Sequence, residues 1–271
     1  MRNKIKKLIL FFCLKAIAIR LNVFLRKIYN LFNSSKNKLA LGERNSYCIP
    51  FEWITVDEYG AEFNANFESP DTFAGLNNKI DFIYSAHVFE HVSDNGIKST
   101  FEKLKNNLNT GCVIRVEVPD VKVVIDDFLK RGPLYSELSN ECLDNMKTRK
   151  PYLTEYQQGH LGFVGMISCY KENDLHIPVL IEYDDLVKIC DSKNYDQICS
   201  DLISLQTPGQ LATHGHINYF YEERLKILLE SCGFSEIKRS STAKSNYNFP
   251  LGIERSHRSH FSLIMEGVYN F

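Results

Sequence analysis

The sequence predicts an α/β protein built on a mostly parallel sheet with helices on both faces, and three observations predict it. From residue 38 onward, short β-rich runs alternate with stretches of helical spacing. Each β-rich run stops at a turn-type or polar residue, so its end is marked. With 271 residues, 44% hydrophobic and 24% charged, the chain has the size and composition of one large globular domain or two small ones.

The N-terminal stretch comes first. Residues 1–38 carry ten Lys and Arg side chains and no acid; the first carboxylate is Glu43. The run Leu8–Leu14 is apolar, but Lys15 and Arg20 interrupt the pattern beyond it. A spanning helix needs about 20 apolar residues, so this run is too short, and the two basic residues spoil a signal-peptide reading. Residues 1–35 read as a basic amphipathic helix that contacts an anionic membrane surface. The alternatives are a helix packed on the protein's own body, and an anchor or cleaved signal. Ser34-Ser35-Lys36-Asn37 reads as a linker to a second unit, 38–271. That unit is strongly acidic in balance, which excludes a general nucleic-acid binder.

The first strand is expected at Leu39-Ala40-Leu41, closed by Gly42. Trp53-Ile54-Thr55-Val56 is the second, closed by Asp57, and Ile80–Tyr84 the next, closed by Ser85-Ala86-His87. Between Asn95 and Leu108 the spacing of Ile97, Phe101, Leu104 and Leu108 predicts a helix, with Asn109-Thr110-Gly111 ending it. Val113–Val118 is the next strand, stopped by Pro119. Ligands of such folds sit at the carboxyl ends of the strands. The rule points to Gly42, Asp57, Ser85–His87 and Pro119-Asp120.

These runs resemble class I S-adenosylmethionine-dependent methyltransferases, most closely the small bacterial type associated with surface-polysaccharide and capsule biosynthesis. The resemblance lies in Leu39–Gly42, in Glu52–Asp57, and in Phe82–Val92 with its H-V-x-E-H stretch. It continues in Gly111 and Arg115–Asp120, in His216–Phe220, in Leu225–Phe234 and in Ser262–Gly267. It covers about 38–120 and 216–271. It implies a Rossmann-like sheet, S-adenosylmethionine as cofactor, and methyl transfer to a hydroxyl or similar oxygen of a surface glycan or its precursor. It implies a cofactor set of Leu41, Gly42, Glu43, Asp57, Asn66, Ser85, Ala86 and His87. Asp57 would bond the ribose hydroxyls, Glu43 the methionine ammonium, and Asn66 would lie near the adenine. The place expected is the cytoplasm, with the basic N-terminal helix putting the chain at the inner face of the cytoplasmic membrane.

A hydroxyl acceptor gains from a general base, and His is the usual choice. His87 and His216 are the first candidates and His160 the next. His87, Glu90 and His91 fall at i, i+3 and i+4, a spacing that can hold a metal, but the resemblance assigns none. Residues 120–215 form a largely helical insertion after the fifth strand. It is expected to overhang the carboxyl edge as an acceptor lid. Helices are expected over Val121–Arg131, Leu134–Met146 and within Tyr183–Leu205, with an aromatic, glycine-bearing stretch at Tyr152–Tyr170. His160, His214, His216 and Tyr219 would face an acceptor there. The eight cysteines lack metal spacing and read as reduced, buried thiols.

Where the family places a second glycine, this chain has Glu43-Arg44-Asn45-Ser46. The rival reading is therefore a methyltransferase-fold binding module that has lost its cofactor and serves a glycan-assembly complex. A nucleotide-sugar transferase would want D-x-D and a dinucleotide oxidoreductase G-x-G-x-x-G, and the chain has neither.

Overall fold

The computed structural model describes residues 36–43, 49–69, 75–130, 155–172, 175–191, 194–253 and 260–270, with Phe73 and scattered positions from 18 to 29. Five strands run along the first half: β1 (Lys38–Leu41), β2 (Trp53–Asp57), β3 (Phe63–Asn64), β4 (Ile80–Ala86) and β5 (Leu108–Pro119). Later come β6 (Cys169–Glu172), β7 (Leu175–Pro178), β8 (Phe234–Arg239) and β9 (Ser262–Tyr269). Seven of them form one sheet in the order β3-β2-β1-β4-β5-β9-β8. The pairings among β1 to β5 are parallel; β9 runs antiparallel to both β5 and β8. The central strands are rich in apolar residues because they are buried on both faces, and β5 buries Arg115 and Glu117 among them.

The chain travels outward from β1 through β2 to β3 and then returns to place β4 on the other side of β1. The strand order thus reverses between β1 and β4, and a crevice opens there at the carboxyl ends. The register sets Leu41 beside Ser85, so Gly42 and His87 emerge together at its floor.

Two helices cover one face. Helix α1 (Asp94–Leu104) buries Ile97, Phe101 and Leu104, and α7 (Glu222–Ser231) buries Leu225, Leu228 and Leu229 in the same cluster. Ser93 caps α1 by accepting from the Gly96 amide, and the Glu68 carboxylate accepts from the Ser93 amide at 2.6 Å. The helix stops four residues short of Leu108. Leu108 is buried as the first residue of β5, paired with Ile80, and Asn109–Gly111 lie inside that strand rather than closing a helix. On the opposite face Trp53, Tyr84, Phe249 and Ile253 pack over Ala40 and Val113. There the buried pair Arg115–Glu266 (2.5 Å) stands in cross-strand register, and Arg115 also donates to the carbonyls of Ser241 and Lys244.

The insertion has its own core. Helix α2 (Val121–Lys130), α3 (Glu155–Ile167), α4 (Tyr183–Cys190) and α5 (Tyr195–Ser204) enclose a cluster in which Phe128 stacks on Phe163 at 4.3 Å. The expected helix over Leu134–Met146 lies outside the described residues. The stretch Tyr183–Leu205 forms two helices, because the Asn194 side chain caps a fresh start by accepting from the Gln197 amide. The sequence pattern does not signal the antiparallel β6–β7 hairpin, which precedes α4; the single-turn helix α6 (Pro208–Leu211) comes after α5. The cysteines at 112, 169, 190 and 199 are buried and unbridged, and Cys232 is half-buried. Among the described residues no helix is long and apolar enough to cross a membrane.

Candidate functional site

A cavity of about 380 Å³ opens at the strand order's reversal point. Its walls come from the loops after β1, β2 and β4 and from the β6–β7 hairpin side of the insertion. Gly42 turns the chain out of β1 at φ +69°, in the left-handed region that favours glycine. The next residue, Glu43, is buried in the cavity wall, and its amide donates to the Val56 carbonyl at 3.1 Å.

Asp57 ends β2. One of its carboxylate oxygens accepts from the Glu58 amide at 2.7 Å, and its carbonyl accepts from the Ala65 amide at 2.9 Å. The two bonds hold the carboxylate at the cavity edge. Asn66 and Phe67 come next on the same wall, and the Asn66 side chain accepts from the Glu68 amide at 2.8 Å.

His87 ends β4 with φ +54°, an unusual backbone for a residue with a side chain. Its amide donates to the Glu117 carbonyl at 2.8 Å, which fixes the turn. Its ring is nearly buried, with Nδ1 at 3.2 Å from Glu90 Oε1 and Nε2 at 3.1 Å from Ser262 Oγ. A carboxylate only accepts, so Nδ1 donates to Glu90, while Nε2 faces Ser262 Oγ and, at 3.8 Å, the Glu117 carboxylate. Burial by itself would raise the Glu90 pKa. The hydrogen bond and charge of His87 outweigh it and hold the carboxyl at about 2.

Of the residues implied by the resemblance, Gly42, Glu43, Asp57, Asn66 and His87 line this cavity. Leu41, Ser85 and Ala86 do not; their side chains are buried in the sheet. Of the histidines, His160 is displaced furthest from the expectation. It is fully buried in the insertion, where its Nε2 donates to the Ile181 carbonyl at 2.5 Å, so it cannot face an acceptor. His216 is buried behind the wall and donates from Nδ1 to the Met166 carbonyl at 3.1 Å. Its ring is pushed down to about 3, first by burial and then by the neighbouring His91, and is neutral. Tyr219 packs on the insertion core, away from the cavity, while His214 does line it. Phe67, Lys171 and His176 are wall residues that the sequence pattern does not single out.

No family model matches the chain and no curated protein matches it. Solved structures similar to it include a Nostoc punctiforme PCC 73102 protein provisionally assigned as an O-methyltransferase. That match has 9% identity, TM-score 0.38, and covers 92% of this chain and 56% of that one. A second is a Bordetella parapertussis protein provisionally described as exported, at 9% identity and TM-score 0.31, covering 88% of this chain and 63% of that one. This chain thus spans less than two thirds of the length of either, and its chemistry has to be read from its own site.

That site offers a carboxylate at a strand end, a second one buried in the wall, an amide and an aromatic ring on one side, and an imidazole oriented by a buried carboxylate on the other. The first group suits a ligand with a diol, a cationic nitrogen and a flat heterocycle. The second is the arrangement of a general base held by a third group.

Proposed function

We propose that this chain transfers a methyl group from S-adenosylmethionine to an oxygen acceptor, a hydroxyl of a surface glycan or of its precursor. The observation that carries the reading is the meeting of Gly42, Asp57 and His87 at one cavity, at the reversal point of an α/β sheet. The donor set fits the cofactor. Asp57 would take the ribose hydroxyls, Glu43 the ammonium, and Asn66 with Phe67 the adenine. When bound, the cofactor supplies an activated methyl on a sulfonium. The residues of this chain orient, exclude water and take up a proton. Glu90 would hold the His87 Nδ1 proton, so that the neutral ring would offer Nε2 to an acceptor hydroxyl in place of Ser262. The β6–β7 side of the insertion supplies the far wall, through Lys171, His176 and His214, where the acceptor would enter.

The glycan class of the acceptor rests on the resemblance and on the basic N-terminal segment, and the inner membrane face as the working place rests on that segment. Calorimetric titration with S-adenosylmethionine and with its demethylated product tests the core of the reading. Binding of both at one site is the expected result. No heat at millimolar cofactor would leave the rival, a binding module on a methyltransferase fold.

A further inference from the structure

Three histidines from distant parts of the chain converge on one wall of the cavity. His91 closes the short turn after β4, His176 sits on β7, and His216 comes after α6. Each offers one ring nitrogen, and the three nitrogens lie within 4.8 Å of one another. The ring centroids are 4.8 Å apart for His91–His216, 5.1 Å for His91–His176 and 5.9 Å for His176–His216.

Two of the rings are held as metal-binding imidazoles are held. His91 Nδ1 is 3.1 Å from the Gly215 carbonyl and His216 Nδ1 is 3.1 Å from the Met166 carbonyl. A carbonyl accepts only, so both rings carry their proton on Nδ1 and keep the Nε2 lone pair. A backbone carbonyl on the far nitrogen is the usual partner of a ligating histidine. The backbone beneath is equally fixed. The His216 amide donates to the Cys169 carbonyl at 2.9 Å, and its own carbonyl accepts from the Gln206 side chain at 2.8 Å. Gly215 is required for that approach, since a Cβ there would fall 1.9 Å from the Cys169 carbonyl oxygen.

The geometry points to a divalent transition-metal site, of the zinc class, with His91, His176 and His216 as its three protein ligands and an open position toward the cavity. Imidazole nitrogens select zinc and its neighbours, whereas magnesium and calcium want oxygen ligands. Three protein ligands with one position left open is the pattern of a site that acts on a bound molecule rather than one that only braces the fold. The open side faces the cavity because His91 and His176 line it and His216 lies behind them. A tetrahedron with bonds of about 2.1 Å has edges of about 3.4 Å, so the triad must tighten on loading. His176 is the ligand to move: it is exposed, lies on a two-stranded hairpin and has the ring farthest from His216. Granting the proposed methyl transfer, an ion here would meet the acceptor oxygen and lower its pKa, which is the task of a Lewis acid.

The test uses the full chain purified without a polyhistidine tag, stripped with chelator and then freed of it. Zn²⁺ is titrated in competition with a chromophoric chelator, and Co²⁺ is followed by its visible spectrum. One equivalent bound, with a four-coordinate cobalt spectrum and a higher melting temperature on zinc addition, is the expected result. His176→Ala should lower zinc affinity more than about 100-fold while leaving the metal-free circular dichroism and melting unchanged. His214→Ala, an exposed histidine on the same cavity, should retain full affinity. His91→Ala and His216→Ala remove more buried rings; if they fail to fold, His176 still decides. No stoichiometric binding, or equal losses in His176→Ala and His214→Ala, overturns the site. Cofactor calorimetry with and without chelator keeps the two ideas separate: a chain that takes zinc but not S-adenosylmethionine loses the proposed function and keeps the metal site.

Discussion

The backbone of Gly42 lies so close to Val88 that a Cβ at position 42 would fall 2.1 Å from the Val88 Cγ2. The contact joins the end of β1 to the turn after β4, the two sides of the crevice. It also explains why the strand-end glycine is needed here: φ is +69°, and there is no room for a side chain. Gly42→Ala should therefore cost about 1–2 kcal/mol in backbone strain, plus whatever the Val88 clash adds. A lower urea midpoint and loss of cofactor binding are the expected outcomes. Adding Val88→Ala should recover part of the stability, because it relieves the clash and leaves the strain. If the double variant is no better than Gly42→Ala, the close approach is not the cause.

Asp57 is positioned before any ligand arrives, since the Glu58 amide already holds one of its oxygens at 2.7 Å. Removing the carboxylate should leave the sheet intact and remove charge-assisted bonds to a ribose, at about 1.5–3 kcal/mol. Asp57→Ala should thus weaken S-adenosylmethionine binding by about one to two decades in calorimetry, with an unchanged melting temperature. Equal affinity in the variant would remove Asp57 from the cofactor site.

His87 and Glu90 form a buried pair, so neither can be replaced without disturbing the other. From the sequence alone, His87→Ala is expected to lose turnover with little loss of stability. The structure changes that expectation, because the variant leaves Glu90 buried without its nearest donor. His87→Ala should lose both turnover and about 1–3 kcal/mol of stability. Combining it with Glu90→Gln should restore some of the stability and none of the turnover. Denaturant titration of the four-member cycle measures the coupling. A stability-neutral His87→Ala would show that the pair contributes nothing to the fold.

The parts of the fold that the sequence disclosed are those where burial writes itself into residue type. Strands β1, β2, β4 and the heart of β5 are apolar runs with marked ends, so their ends, and with them Gly42, Asp57 and His87, could be found. The remainder was hidden from the pattern. The spacing of Ile97, Phe101 and Leu104 runs on by coincidence to Leu108, because a buried strand residue and a buried helix residue look alike. Leu41, Ser85 and Ala86 stand at strand ends beside that cavity, and their side chains are buried because the sheet is covered on both faces. The histidine triad left no signal at all. His91, His176 and His216 come from three separate elements and share no spacing, and only the docking of the insertion on the turn after β4 brings them together. Nor did the letter His at position 160 reveal that its ring bonds a backbone carbonyl in the insertion's own core.

Much of the basic N-terminal segment, residues 1–35, lies outside the described residues, but the positions from 18 to 29 that are described are helical. Asn22 and Arg26, one turn apart, face inward and are buried. The Arg26 guanidinium donates to the Asn22 side chain at 2.9 Å and to the carbonyls of Pro50 (3.1 Å), Trp53 (3.2 Å) and Ile49. Leu21, Phe24, Leu25 and Ile28 are exposed instead. The described positions thus fasten to the body by a polar side while their apolar side is exposed, the side that a bilayer contact would use. The two roles separate by mutation. Arg26→Ala takes the donor from the Ile49 carbonyl, while Pro50 keeps the Trp53 amide and Trp53 keeps Lys36 Nζ; at about 1–3 kcal/mol for a buried group left unpaired, it should lower the urea midpoint. A truncation starting at Asn37 should do the same. Replacing Leu21, Phe24, Leu25 and Ile28 by Ser should leave the midpoint unchanged and abolish co-sedimentation with anionic liposomes. If the truncation is as stable as the full chain, Arg26 does not anchor the segment; if the Ser variant still co-sediments, this apolar face is not the membrane contact.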